Sequence, residues 1–156
     1  MTQEAGAPRK IVVGVDGSPS AETALRWAID YAKKLPAEVV AVHAYERPVY
    51  YADPYSVALP ATFDPELREG VRRRFVEDWC APLTTAGIAY RTVVADGGAA
   101  DVLTDVADRE AAELIVTGRR GLNTLGELAL GSVSHHVVHR TKRPVVLVSS
   151  EHRSAA

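Results

Sequence analysis

The sequence contains one cysteine, Cys80, so the chain cannot form an internal disulfide. This is typical of a reducing cytoplasm, and the position of Cys80 predicts a small apolar side chain buried in a helix. No apolar run approaches the roughly 18 residues of a membrane-spanning helix. Residues 1–10 lack the apolar core of a signal peptide. We therefore expect a cytoplasmic protein with no membrane segment.

An excess of charge of one sign is also missing. The 156 residues carry a formal net charge of −2, with 24% charged and 47% apolar residues. A general nucleic-acid binder is normally basic, so this balance argues against a nucleic-acid partner. The length fits one domain, which we place at residues 10–149, with flexible termini at 1–9 and 150–156.

Apolar runs typical of buried strands alternate with helical patterns along the chain. The predicted strands lie at residues 11–15, 39–44, 88–95, 114–116 and 145–148. Ser18 is the predicted cap of the first helix, with Pro19 in its first turn, and Asp64 and Pro65 begin the second helix. This alternation predicts an α/β fold: a doubly wound, five-stranded, mostly parallel sheet with helices on both faces.

The helix predicted after Asp64 is less regular than the others. Its apolar stripe consists of Leu67, Val71, Phe75 and Trp79. Pro82 is expected to kink or end this helix. The segment before it, residues 45–63, holds three prolines and four of the six tyrosines of the chain. Such a long connection is a packed loop, a lid, a partner surface or a flexible segment, and the sequence leaves these alternatives open.

The loop after the fourth strand contains spaced glycines: Gly118, Gly121 and Gly131. A strand that breaks into a glycine loop and re-forms as a helix can offer backbone N–H groups to phosphate. Ser132 and Ser134 add hydroxyl donors at the helix start, and Ser132 can also cap the helix, because a bound phosphate occupies the cap site. Arg119 and Arg120 either screen phosphate charge or point to solvent.

Ligands of doubly wound sheets lie beyond the carboxyl ends of the strands, where the strand order reverses. Asp16 and Gly118 both follow strand ends, so we expect their loops to lie side by side. Asp16 either caps the turn into the first helix or accepts a ribose hydroxyl. His43, inside a strand, is predicted to be a packed core histidine rather than a base.

Other motifs for nucleotides, nucleophiles and metals are absent. The sequence has no Gly-x4-Gly-Lys-Ser/Thr loop, no dinucleotide-binding glycine motif after the first strand and no Gly-x-Ser-x-Gly elbow. His135 and His139 are four residues apart, as zinc ligands can be, but neither a His-Glu-x-x-His pattern nor a nearby cysteine supports them. We expect exposed helical histidines and no metal site.

The segment Gly118-x2-Gly121-x9-Gly131-Ser132 resembles the nucleotide signature of the ATP-binding branch of the universal stress protein family. The resemblance extends from about Lys10 to Val148 and includes the segments 11–18 and 144–148. It implies a Rossmann-like domain, similar to the adenine-nucleotide alpha-hydrolases, that binds ATP as its cofactor. A triphosphate usually brings Mg²⁺ with it.

The resemblance also implies roles for individual residues. Asp16 would contact the nucleoside, with Gly14 and Val15 lining the base, and a backbone position late in the second strand, assigned to Ala44, would meet the adenine. Arg119, which the residues alone leave either near phosphate or in solvent, is kept as a candidate binding residue beside these. The ribose and phosphates would be bordered by Thr117, Gly118 and Gly121. The phosphates would be held by Gly131, Ser132, Val133 and Ser134.

The implied protein is a homodimer that pairs through Val145–Val148 and acts with an unidentified regulatory partner in a stress or dormancy response. It has no catalytic residue. Two alternatives stay open. One is a slow ATPase or autophosphorylating enzyme, for which the sequence shows no evident general base. The other is a dimeric scaffold without nucleotide.

Overall fold

Strands and helices alternate along the computed structural model, which describes residues 9–46, 49–50, 59–60, 64–119 and 130–149. The first half contains β1 (Arg9–Gly14), α1 (Pro19–Lys34), β2 (Ala37–Tyr45), β3 (Val49–Tyr50), β4 (Leu59–Pro60), α2 (Pro65–Arg74) and a π-helical turn (Phe75–Trp79). The second half contains α3 (Ala81–Thr84), β5 (Tyr90–Asp96), α4 (Ala99–Arg109), β6 (Leu114–Gly118), α5 (Ser132–Arg140) and β7 (Val145–Val148).

The main sheet has five strands in the order β5-β2-β1-β6-β7. All four neighbouring pairs are parallel. The chain runs outward from β1 through β2 to β5 and then returns to place β6 and β7 on the other side of β1. The strand order therefore reverses between β1 and β6, which confirms the predicted doubly wound α/β sheet.

Both faces of this sheet are covered, which explains the continuous apolar runs of the central strands. In β1, Ile11, Val12 and Val13 are all fully buried. Because side chains alternate between the faces of a strand, Ile11 and Val13 pack with α1, the π-helical turn and α3, whereas Val12 packs with α4 and α5. Among the described residues, no helix is both long and apolar enough to span a bilayer.

Helix starts agree with the caps predicted from the sequence. The Ser18 hydroxyl accepts a hydrogen bond from the N–H of Ala21 at 3.1 Å. The Asp64 carboxylate accepts from the N–H groups of Glu66 and Leu67 at 3.0 and 3.1 Å. Each cap satisfies amides that have no partner within the helix.

The region around α2 corrects the sequence analysis. Regular helix ends at Arg74, and Pro82 lies in the first turn of α3, where its missing N–H costs nothing. The proposed apolar stripe is only partly buried: Phe75 is fully buried, but Leu67 is 50% exposed, because no described element covers α2 at that point. The spacing of apolar residues in a sequence identifies one face of a helix, but it does not establish that another element packs on that face.

Other boundaries shift by one or two residues. The third predicted strand, 88–95, is Tyr90–Asp96, and β1 already begins at Arg9, which was predicted to be part of a flexible end. Within the segment 45–63, β3 and β4 form a short antiparallel pair. The remaining predictions for that segment, and those for the termini 1–8 and 150–156, fall outside the described residues.

Candidate functional site

The candidate site lies at the carboxyl edge of the sheet, where the strand order reverses. Val13 of β1 is paired with Val116 of β6, so the residues that follow both strands leave the sheet next to each other. Asp16 therefore emerges beside the loop that begins at Gly118, as predicted. Gly121 and Arg120 lie outside the described residues, and their predicted contacts stay predictions.

The loop after β1 is a tight turn built around a left-handed glycine. Asp16 accepts a hydrogen bond from the N–H of Ser18 at 2.9 Å through one carboxylate oxygen. Gly17 has a φ of 80°, which favours glycine. The capping role proposed for Asp16 is thus observed. A carboxylate has two oxygens, so this cap is compatible with a second acceptor role toward a ribose hydroxyl.

β2 extends past the end of β1 and leaves main-chain groups beside the Asp16 loop. Gly14, the last residue of β1, is level with Val42, whereas β2 continues to Tyr45 against β5. The N–H of Val15 donates to the carbonyl of Val42 at 2.9 Å, so Val42 faces β1. Because main-chain groups alternate in direction along a strand, Ala44 faces the same side beyond the end of β1. This is the direction required by the adenine contact that the resemblance implies.

Two of the predicted ligand glycines have close neighbours within the protein. A Cβ on Gly118 would lie 2.7 Å from the carbonyl carbon and oxygen of Ser20, and it would also meet the Ser20 hydroxyl. A Cβ on Gly14 would lie 3.1 Å from a methyl of Leu103. Gly118 therefore allows the end of β6 to approach the first turn of α1. Packing alone requires a glycine here, whatever its role toward a ligand.

Thr117 and Ser134 join the end of β6 to the start of α5. Their side chains are 4% and 3% exposed, and their hydroxyl oxygens are 3.2 Å apart. Ser134 donates its hydroxyl to the carbonyl of Gly118 at 2.7 Å. The structure thus turns the Ser134 hydroxyl into the protein, where it satisfies a carbonyl at the end of β6. The phosphate role predicted for Ser134 would therefore be carried by its backbone N–H.

The start of α5 presents amides without an intrahelical acceptor at the same edge of the sheet. Gly131 precedes the helix, and no side chain among the described residues caps it. The first amide to donate within the helix is that of His135, to the carbonyl of Gly131 at 2.9 Å. The N–H groups of Ser132, Val133 and Ser134 precede it and have no intrahelical acceptor. Such a helix start has a partial positive charge and is suited to an anion.

The base of the glycine loop is closed by main-chain hydrogen bonds. The N–H of Gly131 donates to the carbonyl of Arg119 at 2.9 Å, and the N–H of Arg119 donates to the carbonyl of Val148 at 2.8 Å. The Gly131 amide is consequently used by the protein. Of the positions predicted to hold phosphate, the three that follow Gly131 are the ones whose amides the helix leaves available.

His43 is packed, as predicted, and also contacts the site loop. Its ring centroid lies 5.6 Å from Phe75 and 5.2 Å from Trp79, and its Nδ1 lies 2.8 Å from the carbonyl oxygen of Val15. Trp79 in turn contacts Gly17. Sequence analysis could not predict the contact of His43 with Val15 or that of Trp79 with Gly17, because His43 and Trp79 are distant from the loop in the chain.

The histidines of α5 lie on its exposed surface. Nδ1 of His136 is 2.7 Å from the carbonyl oxygen of Ser132, and Nδ1 of His139 is 2.9 Å from that of His135. Within the part of the chain that the structure describes, no group of three or more His, Cys, Asp or Glu residues is arranged to hold a metal ion.

Comparison with known proteins assigns the chain to a family. The model of the universal stress protein family matches residues 8–149. The universal stress protein YxiE of Bacillus subtilis is 31% identical over 144 residues, which is 89% of this chain and 97% of the relative. A universal stress protein of Thermus aquaticus is 33% identical over 141 residues, with 90% and 98% covered. A universal stress protein of Mycolicibacterium smegmatis is 29% identical over 149 residues. The match covers 93% of this chain but only 49% of that relative, so this chain spans about half of the relative's length.

Solved structures share the fold. A universal stress protein in complex with cAMP has a TM-score of 0.64 and 27% identity, with 94% of this chain and 100% of that one covered. An Archaeoglobus fulgidus universal stress protein in complex with dAMP has a TM-score of 0.64 and 24% identity, with 89% and 96% covered. With the sheet order and the glycine spacing, these matches lead to one conclusion: the chain belongs to the universal stress protein family.

Proposed function

We propose that this protein binds an adenine nucleotide, with ATP as the physiological ligand, at the carboxyl edge of the sheet between β1 and β6. The observation that carries the proposal is the start of α5, which no described side chain caps, beside the Asp16 loop. The helix start offers amide donors for the phosphates, and Asp16 offers a carboxylate acceptor for a ribose hydroxyl. A nucleotide requires both, because its phosphates accept hydrogen bonds and its ribose hydroxyls donate them. The cAMP complex of a family member supports an adenine nucleotide as the ligand class.

Within this proposal, we assign the residue roles that the family resemblance implies. The phosphates lie on the amides of Ser132, Val133 and Ser134, with Arg119 and Gly121, the latter outside the described residues, bordering them. Asp16 accepts from the ribose, and Gly14, Val15 and the main chain of Ala44 contact the base. Thr117 and Gly118 form the floor between the two loops. A Mg²⁺ ion would accompany a triphosphate and contact its oxygens.

Occupancy of this site is the signal that the protein passes on. A ligand that binds only the folded state stabilises it, and the bound nucleotide changes the surface that this edge of the sheet presents to a regulatory partner. We place this regulation in a stress or dormancy response, as the resemblance to the family implies.

Calorimetry on the nucleotide-stripped protein tests the proposal. We expect heat on adding ATP, and about tenfold weaker binding in Asp16→Asn, which keeps an oxygen for the Ser18 amide but removes one ribose acceptor and the charge. Glu113→Gln is the matched control, because it removes the same charge before β6, at the opposite edge of the sheet. Absence of heat and of a thermal shift with ATP, ADP, AMP and cAMP at millimolar concentration would reject the proposal.

The proposal includes a homodimer formed through β7. This strand is at the edge of the sheet, and Leu147 is 38% exposed on it. An apolar edge strand with unpaired main-chain groups is a template for a second copy. Sedimentation should give a dimer for the wild type and a monomer for Leu147→Glu, and a monomeric wild type would refute this part.

A further inference from the structure

The carbonyl of Val15 is held by a side chain rather than by the neighbouring strand. The N–H of Val15 donates to the carbonyl of Val42, which extends the β1–β2 ladder by one residue. The carbonyl oxygen of Val15 lies 2.8 Å from Nδ1 of His43. Since a carbonyl only accepts, Nδ1 carries the proton and donates it. Both main-chain polar groups of Val15, the residue that precedes Asp16, therefore have a partner within the protein.

Gly17, on the other side of Asp16, is held by an aromatic ring. A Cβ on Gly17 would lie 2.5 to 2.9 Å from three indole atoms of Trp79, so the ring occupies the space next to the glycine Cα. The φ of 80° at this residue is the second reason that glycine is required. The loop thus has a contact on each side of Asp16, and both come from residues remote in the chain.

The two contacts belong to one cluster. The His43 ring packs against the Phe75 and Trp79 rings, and these lie 6.5 Å from each other. Phe75 and Trp79 are the first and last residues of the π-helical turn, in which the N–H of Cys80 donates to the carbonyl of Phe75 at 3.0 Å. Single π-helical turns are concentrated at functional sites because they redirect side chains. Here the turn directs two rings toward His43 and the loop.

We infer that His43 and Trp79 are positioning residues of the nucleotide site. They hold the main chain on both sides of Asp16, so that its carboxylate meets the ribose without a loss of loop entropy on binding. This inference rests on the proposed function. It adds that nucleotide affinity depends on two side chains that contact the loop and need not contact the ligand.

Calorimetry with ATP on the full-length, nucleotide-stripped protein tests the inference through four variants. His43→Leu and Trp79→Leu should each weaken binding about tenfold, because the loop must then be ordered by the ligand. His43→Asn should restore most of the affinity, since its amide nitrogen can take the place of Nδ1 as donor. Trp27→Leu is the matched control: it removes the other tryptophan, which stacks on Tyr31 in α1 at 5.2 Å. It should lower the melting temperature and leave the dissociation constant unchanged.

Fluorescence gives a second measurement that does not require a destabilised variant. Trp27→Phe leaves Trp79 as the one tryptophan of the chain. Because its indole lies against Gly17, ATP should change its emission in a saturable way, with a midpoint at the calorimetric dissociation constant.

The outcomes separate the two proposals. If the wild type binds no nucleotide, the proposed function fails and the inference fails with it. If the wild type binds ATP, but His43→Leu and Trp79→Leu bind equally well, the inference alone is overturned. If those variants do not fold, the emission of Trp79 decides: a change supports the inference, and constant emission during calorimetric binding overturns it.

Discussion

Substitution of Gly118 by alanine should destabilise the protein even without nucleotide. The new Cβ would lie 2.7 Å from main-chain atoms of Ser20, whereas an ordinary contact between carbon atoms is about 3.5–4.0 Å. The end of β6 and the first turn of α1 must therefore separate by roughly 1 Å. That turn is fixed by the Ser18 cap, so the strain cannot be relieved by rotating a side chain. Overpacking costs typically about 1–3 kcal/mol, and we expect about 2–3 kcal/mol here.

Urea denaturation of the nucleotide-free protein, followed by circular dichroism, measures this loss. For a chain of this length the melting temperature should fall by roughly 5–10 °C. Gly70→Ala is the matched control, because Gly70 lies within α2 and its Cβ would meet nothing within 4 Å. The same chemical change should there raise the unfolding free energy by about 0.5–1 kcal/mol. A Gly118→Ala protein within about 0.5 kcal/mol of wild type would refute the reasoning.

Two further predictions concern the rest of the fold. The pKa of Glu110 lies below its ordinary value of 4.5, because Lys10 and then Arg91 hydrogen bond to its carboxylate. The stability that this carboxylate contributes is present above pH 4.5 and is lost as the pH falls through the lower pKa of the folded state. Glu110→Gln should therefore cost about 1 kcal/mol at pH 7 in urea titrations, and the cost should shrink as the pH is lowered. Burial raises the pKa of the Cys80 thiol to about 12, so a thiol reagent at pH 8 should label Cys80 only after urea unfolding, and rapid labelling of the native protein would contradict its burial.

The features that sequence analysis predicted correctly are those with local causes. The apolar run Ile11–Val13 is buried on both faces, as a central parallel strand must be. Ser18 and Asp64 cap helices because a short polar side chain before a helix has amides within reach. The doubly wound order follows from alternation and handedness, which need no knowledge of distant contacts.

The features that it missed depend on which elements approach each other. No pattern near Leu67 indicates whether another element covers α2, so the apolar stripe does not reveal that Phe75 is fully buried while Leu67 is 50% exposed. The π-helical turn at Phe75–Trp79 differs from an α-helix by a shift in hydrogen bonding that apolar spacing does not encode. The contact of Trp79 with Gly17 joins segments far apart in the chain, so a single sequence contains no signal for it.

The glycine signature illustrates why a matched motif does not by itself assign roles to its residues. Gly118 is required by the approach of Ser20, and the Gly131 amide bonds to Arg119, so both serve the fold before any ligand arrives. Loss of binding in a Gly118 variant therefore has two possible causes, a displaced strand end or a lost phosphate contact. Asp16→Asn changes the charge while keeping the oxygen that caps its turn. Because its expected cost in stability is small, a change in affinity there reports on the ligand rather than on the fold.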